Sequence, residues 1–515
     1  MANFKDCICG TWRWASNYIR FSKAALFITG LLFSKAFIEI AFKAFLISYV
    51  VDVWKTSLRG ATALSATFEG IVFFLTIVVY HIAIDRLGLC RIIIVAIPCL
   101  VFGLLLLWLC SKFLSKKTNI GILYIALPLL IAGLAGEDAC LESHLCIQFD
   151  FEEDDMVDGD TRSERQQMEE YADVVTGRAG VWSYGASSLG KFICWTFASS
   201  LDWTQRTMVS FIVVTAAYIL FICGRSYYKC NTPTGRRAVS RLKEAMGLVK
   251  LIPLWLLFIP YSLVEAARDT LFILQSDGLD TSINPRITLH SFNQIPLTSL
   301  YVFSSFISFL VSTSSKYLIK KLLRNEEPKQ HCARSAGIGV GMLFAFGSSL
   351  SAWLVEVRRS KLIKEFPDHE DKGIPMKVLW LAPQFALIGI ANGLVCRGLD
   401  DFFFDRVPES KRYFAIPFNL SVMGIGSFLS AIATLLARDW IGNTIDESRL
   451  DKYFQMLAIL NVAVVPVYIF FSFMFDWNIP EKIEIEEVDG GDVEIEEVCN
   501  TSTRTRPGYE SKVSQ

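Results

Sequence analysis

The feature that most constrains this chain is a succession of twelve apolar stretches, each approaching the length of a membrane span and each parted from the next by a polar block. A helix needs about 20 apolar residues to cross a hydrocarbon core of roughly 30 Å. The stretches run Ala24–Val50, Ala61–Ile84, Ile92–Trp108, Ile120–Gly136, Gly180–Ser200 and Thr207–Cys223 in the first half. In the second half they run Leu251–Ile273, Leu297–Ile319, Ala336–Val357, Val378–Cys396, Ala415–Leu436 and Met456–Phe475. With 52% hydrophobic residues over 515 positions, the chain is too apolar and too long for one soluble core. The expected fold class is an all-α, multi-pass integral membrane protein with the lipid bilayer as its first partner. Charges in the fifth and seventh stretches set those two apart.

Orientation follows from Lys and Arg in the short loops, which favour the cytoplasm. Arg225, Lys229, Arg236, Arg237, Arg241 and Lys243 fall between spans six and seven, and Lys316, Lys320, Lys321, Arg324, Lys329 and Arg334 between spans eight and nine. Both termini are therefore expected on the cytoplasmic side. The main exception is an outer loop with Arg358, Arg359, Lys361 and Lys364, diluted by Glu365, Asp368, Glu370 and Asp371. The expected organisation is a cytoplasmic N-terminus over 1–23, a six-helix bundle over 24–223 and a basic linker over 224–250. A second bundle over 251–476 and an acidic, disordered tail over 477–515 complete it. The tail nearly repeats itself, Ile483–Val488 and then Val493–Val498, a solvated composition that cannot bury a core. The acidic stretch Asp150–Asp160, continuing to Glu170, is a further soluble piece.

Enzyme signatures are absent: no phosphate-cradling glycine loop with Lys-Ser/Thr, no His-Glu-x-x-His, and only five histidines. The thirteen cysteines are scattered, several within apolar stretches, without metal spacing. The expectation is a non-enzyme with no cofactor, no metal and no nucleic-acid partner. Gly337-x-x-x-Gly341 lies within a span, where helix packing explains it.

Between spans two and three sits Asp85-Arg86-Leu87-Gly88-Leu89-Cys90-Arg91. It resembles the signature gate loop of the major facilitator superfamily, with Asp85, Arg86, Gly88 and Arg91 at the matching positions. Gln148-Phe149-Asp150, Trp380-Leu381-Ala382-Pro383-Gln384 and the run Asp401–Arg412 resemble the proton-dependent oligopeptide transporter family, and most of all its plant nitrate and peptide branch. That resemblance implies a twelve-helix major facilitator fold, two six-helix bundles rocking around a central cavity. It also implies a small-molecule substrate such as nitrate or a short peptide, moved together with protons by alternating access. A transport-inactive membrane sensor or scaffold of the same fold is the alternative reading.

The departures from the family matter as much as the match. The family's helix-one Glu-x-x-Glu-Arg falls here on Leu32, Lys35 and Ala36, its helix-four Lys on Asp138, and its frequent helix-ten Glu on Asn392. The usual coupling carboxylates are therefore missing. Charges nevertheless remain in the spans, where each costs roughly 2.5 to 3.5 kcal/mol unless it meets a partner or water. Lys35, Glu39 and Lys43 are spaced to stack on one face of helix one, and Glu265, Arg268 and Asp269 cluster in helix seven. The expected coupling and cavity residues are Lys35, Glu39, Lys43, Glu137, Asp138, Glu265, Arg268 and Asn392. Lys35 and Asp138 are expected to pair as a charge-swapped version of the family contact, with Glu137 as the alternative partner. That pairing requires helix four to continue to about Cys146. Aromatics such as Trp182, Tyr184, Phe272 and Tyr301 are read either as pocket walls or as packing.

Overall fold

Inside a bilayer the backbone must satisfy its own hydrogen bonds, which leaves helices as the elements these apolar stretches can form. The computed structural model describes residues 21–43, 46–47, 49–51, 56–113, 116–153, 164–198, 201–229, 252–276, 278–282, 297–322, 327–365, 374–406, 415–442, 445 and 448–477. The helices of the first half are α1 (Lys23–Ile38), α2 (Leu58–Ile82), α3 (Leu89–Phe113), α4 (Lys116–Glu153), α5 (Glu164–Ile193) and α6 (Trp203–Cys223). In the second half α7 consists of three pieces, Ile252–Leu256, Ile259–Arg268 and Leu271–Leu274. It is followed by α8 (Leu297–Leu322), α9 (Glu327–Glu365), α10 (Ala382–Arg406), α11 (Ala415–Leu436) and α12 (Leu450–Trp477). Every expected span thus holds a helix. Among the described residues, nine are long and apolar enough on their own to cross a membrane. The other three are α5, α7 and α8.

Packing repeats between the halves. In the first, α1 packs on α5 and α6, α2 on α4, and α3 on α4 and α6. Six helices later α7 packs on α11 and α12, α8 on α10, and α9 on α10 and α12. Two contacts cross between the halves, α2 with α11 and α5 with α8, and the same repeat exchanges them. This is the geometry of two related bundles around a central axis.

The face at which α1 begins is here called proximal, the opposite face distal; odd-numbered helices run from proximal to distal. Along α2 and α11 the seal is made of small residues and interleaved rings. Ala63, Ala66 and Ala431 form a buried cluster toward the distal end. Nearer the middle, Phe428 lies against Gly70 and Phe74 against Gly424, so that a Cβ at either glycine would press into the facing ring. The Phe74 and Phe428 rings are 5.6 Å apart. Of the glycines read as packing residues, Gly341 meets Leu394 and Val395 of α10, whereas Gly337 has open space around it.

The structure corrects several sequence expectations. Helix four runs on to Glu153, as the Lys35–Asp138 pairing requires, whereas helix nine continues beyond Val357 to Glu365, so Arg358, Arg359, Lys361 and Lys364 are helical and not loop residues. Arg359 is fully buried, paired with Glu356 three residues earlier. Span seven is broken where Pro260 opens its middle piece, because proline has no N–H to continue the ladder, and again at Asp269–Thr270. Helix one passes into a π-helical turn over Glu39–Lys43, which widens the turn after Glu39. The Lys43 side chain lies outside the described residues, as do positions 230–251, 478–515 and most of the acidic stretch after Glu153.

On the distal face two short parallel strands, β1 (Leu279–Asp280) and β2 (Ile374–Lys377), join the segment after α7 to the start of α10. Lys377 Nζ reaches Asp280 at 2.8 Å and the Ser282 carbonyl at 2.8 Å. Hydrogen bonds from Lys377 and Ser282 hold the Asp280 carboxyl down at about 2. At the proximal turn Gly88 adopts φ +82°, which L side chains rarely reach, and lets α2 pass into α3. Arg86 and Arg91 are exposed around it and Asp85 is half-buried.

Candidate functional site

A cavity of about 300 Å³ lies where the halves meet, between α4 and α5 on one side and α8 and α10 on the other. Its first wall holds Glu142, Cys146, Ala179, Gly180, Ser183 and Tyr184; its second holds Ser308, Ser312, Asn392, Gly393 and Cys396. Tyr184 packs on Phe309 across the two halves, with ring centroids 4.9 Å apart. Cys146 and Cys396 also face this space.

Two charge groups stand beside the cavity. In the first half Lys35 Nζ of α1 lies 2.6 Å from Asp138 Oδ1 of α4. One turn further along α4, Glu142 is exposed to the cavity and accepts a hydrogen bond from Ser183 Oγ at 2.8 Å. Glu137, the alternative partner of Lys35, is fully buried. In the second half Arg268 Nη1 meets Glu265 at 2.6 Å and its Nε meets Asp269 at 2.9 Å. Asn392 donates to Glu265 Oε1 at 2.8 Å and accepts from the Tyr261 hydroxyl. The break in α7 frees the Arg268 carbonyl, which accepts from Tyr301 OH at 2.7 Å. A broken helix is tolerated at membrane depth where neighbouring side chains satisfy the freed groups.

A third group links the halves. Lys191 Nζ of α5 contacts Glu39 Oε2 of α1 at 3.1 Å and Ser305 Oγ of α8 at 3.0 Å. This contact and the α2–α11 seal lie on the distal side of the cavity. Glu39 is near enough for its charge to act on Glu265 across the gap.

Lys35, Glu39, Asp138, Glu265, Arg268 and Asn392 are all placed in these three groups. Glu142 and Lys191 are functional candidates that sequence reasoning missed. The signal for Glu142 is its i, i+4 spacing from Asp138, hidden when span four is ended at Gly136. The aromatics divide: Tyr184 lines the cavity and Tyr301 lies under Arg268, its ring 5.8 Å away, but Phe272 is core against Phe385 and Phe454. Trp182 packs on Phe21. The gate-loop residues Asp85, Arg86, Gly88 and Arg91 stand apart from the cavity, at the proximal turn.

Gln148 ties α4 to the segment after α6 through both backbone groups of Lys229, each at 2.9 Å. Gln384, at the start of α10, donates to Gln275 at 2.9 Å. Two of the motifs that suggested a family therefore occupy structural junctions, and the side chains of the third, Asp401–Arg412, lie outside the described residues. The family model described as the POT family matches residues 237–443. Over that segment the chain is similar to the POT family. Its relatives include the Arabidopsis thaliana protein NRT1/PTR FAMILY 5.7, 22% identical over 94% of this chain and 93% of that one. POT-family crystal structures share the fold. An auto-inhibited peptide transporter superposes with a TM-score of 0.63 at 15% identity, covering 87% of this chain and 97% of that one. A POT transporter in complex with 5-aminolevulinic acid gives a TM-score of 0.67 at 12% identity, covering 89% and 97%. The chain is an integral, multi-pass membrane protein that shares the fold of these transporters.

Proposed function

We propose that the protein moves a small polar solute across its membrane by alternating access of the cavity between the two halves. The observation that carries this reading is the cavity itself: a polar chamber walled by both bundles, with an inter-bundle seal on its distal side. Rocking the bundles so that this seal opens while the proximal side closes exposes the same residues to the other face. With both termini cytoplasmic, the chamber is then closed to the outside and addressed from the cytoplasm. Nitrate and short peptides, the solutes suggested by the sequence resemblance, are the first to test.

Coupling to protons is proposed to be weak by the usual route. Leu32 and Ala36, at two of the family's helix-one positions, are buried and carry no titratable group, and Lys35, at the third, is engaged with Asp138. Glu39, one turn on, is the carboxylate placed to substitute. Purified protein in proteoliposomes, assayed for uptake across a solute panel with pH clamped on both sides, tests the reading. Saturable uptake with little response to an imposed proton gradient supports it. Absence of uptake for every solute by correctly inserted protein overturns the transport reading.

A further inference from the structure

Of the residues that line the cavity, Glu142 alone carries a charge. Behind it three carboxylates, Asp138, Glu142 and Glu137, act on Lys35. Asp138 already pairs with it at 2.6 Å. Glu142 is left facing the cavity with a single neutral donor, Ser183, and no Lys or Arg among the described residues within ion-pair distance. None of the cavity-lining residues is cationic, and those of the opposite wall, Ser308, Ser312, Asn392 and Cys396, are neutral. The second charge group repeats the excess, with Glu265 and Asp269 sharing the one Arg268.

An exposed carboxylate in a chamber enclosed by protein loses much of its hydration, and an anionic solute entering beside it meets like charge at low dielectric. A cation entering there supplies the missing counter-charge. Tyr184 adds a second recognition element, since an aromatic face attracts ammonium groups. The hydroxyls of Ser308 and Ser312 offer hydrogen bonds to the rest of a small molecule.

Resting on the transport reading above, we propose that the solute is a small organic cation bearing a protonated amine, held by Glu142 and Tyr184, and not a free anion such as nitrate. The departure of the chain from its family at Asp138 belongs to the same picture. Where the resemblance places a lysine able to attract anions, this chain has a carboxylate, and its compensating Lys35 is spent on that carboxylate.

The test uses the full chain, purified in detergent or nanodiscs, with putrescine and ethanolamine as cationic probes and sodium nitrate and sodium succinate as anionic ones at matched ionic strength. Putrescine or ethanolamine is expected to raise the melting temperature in a saturable way, and the anions are not. Glu142→Gln is expected to weaken the amine response at least tenfold while melting normally without solute, and Glu142→Asp to retain part of it. If Glu142→Gln fails to fold, Tyr184→Leu supplies the same reading, with a weaker amine response expected. Stabilisation by nitrate or succinate, an amine response unchanged in these variants, or no response to either amine overturns the proposal. Uptake of labelled putrescine and of nitrate into proteoliposomes separates the two readings. Nitrate uptake without putrescine uptake leaves transport standing and removes the cation assignment. Amine binding without any uptake does the reverse.

Discussion

Two ion pairs within this molecule, Glu356–Arg359 and Lys35–Asp138, have opposite surroundings. Both side chains of the first are 0% exposed, and Arg359 also donates to the Ile445 carbonyl at 3.2 Å. Glu356 in turn accepts from Gln275 at 3.0 Å, so the pair ties α9 to the end of α7 and to the segment before α12. Lys35 and Asp138 are 30% and 20% exposed beside the cavity, with Glu142, bonded to Ser183, one turn away. A fully enclosed pair with every bond matched holds one arrangement, because any rearrangement strands a charge away from water. A pair at a chamber wall can exchange its partner for water, a proton or a solute. The same chemistry thus serves as a fixed joint in the second half and as a responsive surface in the first.

The comparison breaks most sharply at Arg359. Arg359→Ala is expected to cost about 3 to 5 kcal/mol by stranding Glu356, read as a large drop in the melting temperature of the detergent-solubilised protein. A small drop would show that Glu356 is not held as a buried charge. At the cavity pair, Lys35→Glu and Asp138→Lys are each expected to cost less, about 2 kcal/mol, because some water already reaches both groups. Each single reversal should also impair uptake, and the double reversal should recover much of the loss. Simple addition of the two defects would mean that Lys35 and Asp138 do not act as partners.

Smaller effects sharpen the gradient. Glu39→Gln removes one of the two contacts of Lys191 and keeps the other, Ser305. It is expected to cost under about 1 kcal/mol and to abolish whatever proton-driven accumulation remains. Strong accumulation sensitive to a protonophore and surviving in Glu39→Gln would place coupling elsewhere. Smallest is the distal Asp280–Lys377 pair, 41% and 44% exposed. The folded Asp280 carboxyl titrates at about 2, below its ordinary value of 3.8. Its contribution is therefore present above about 3.8 and lost as pH falls through about 2. Between pH 5 and 8 the stability difference between wild type and Lys377→Ala should be constant, and a difference varying over that range would contradict the assignment.

The fold was legible because twelve apolar stretches at membrane length admit few alternatives, and the Lys35–Asp138 contact because two charge reversals at matched family positions suggest compensation. Glu142 and Lys191 were hidden for a different reason. Hydropathy ends an apolar stretch where charges begin, so the stretch of α4 ends at Gly136 although a chamber lets the helix carry Glu137, Asp138 and Glu142 within the bundle. The same logic places Arg359 in a loop, since four basic residues in a row of seven look solvated unless the i, i+3 spacing of Glu356 and Arg359 is weighed. The π-helical turn at Glu39 and the break at Asp269–Thr270 have no local composition to announce them; tertiary partners such as Lys191 and Tyr301 satisfy what the backbone gives up there.

The central claim is that the two halves rock around the cavity between them, parting the distal seal in each cycle. The direct test joins the halves where α2 meets α11, using Ala66→Cys and Ala431→Cys bridged by a short bifunctional thiol reagent, in a background with the exposed Cys223 and Cys332 replaced by Ser. Each single variant treated with the same reagent is the control. Bridging is expected to stop solute uptake in proteoliposomes and cleavage of the bridge to restore it, with both single variants unaffected. Full uptake by quantitatively bridged protein would contradict alternating access in this molecule.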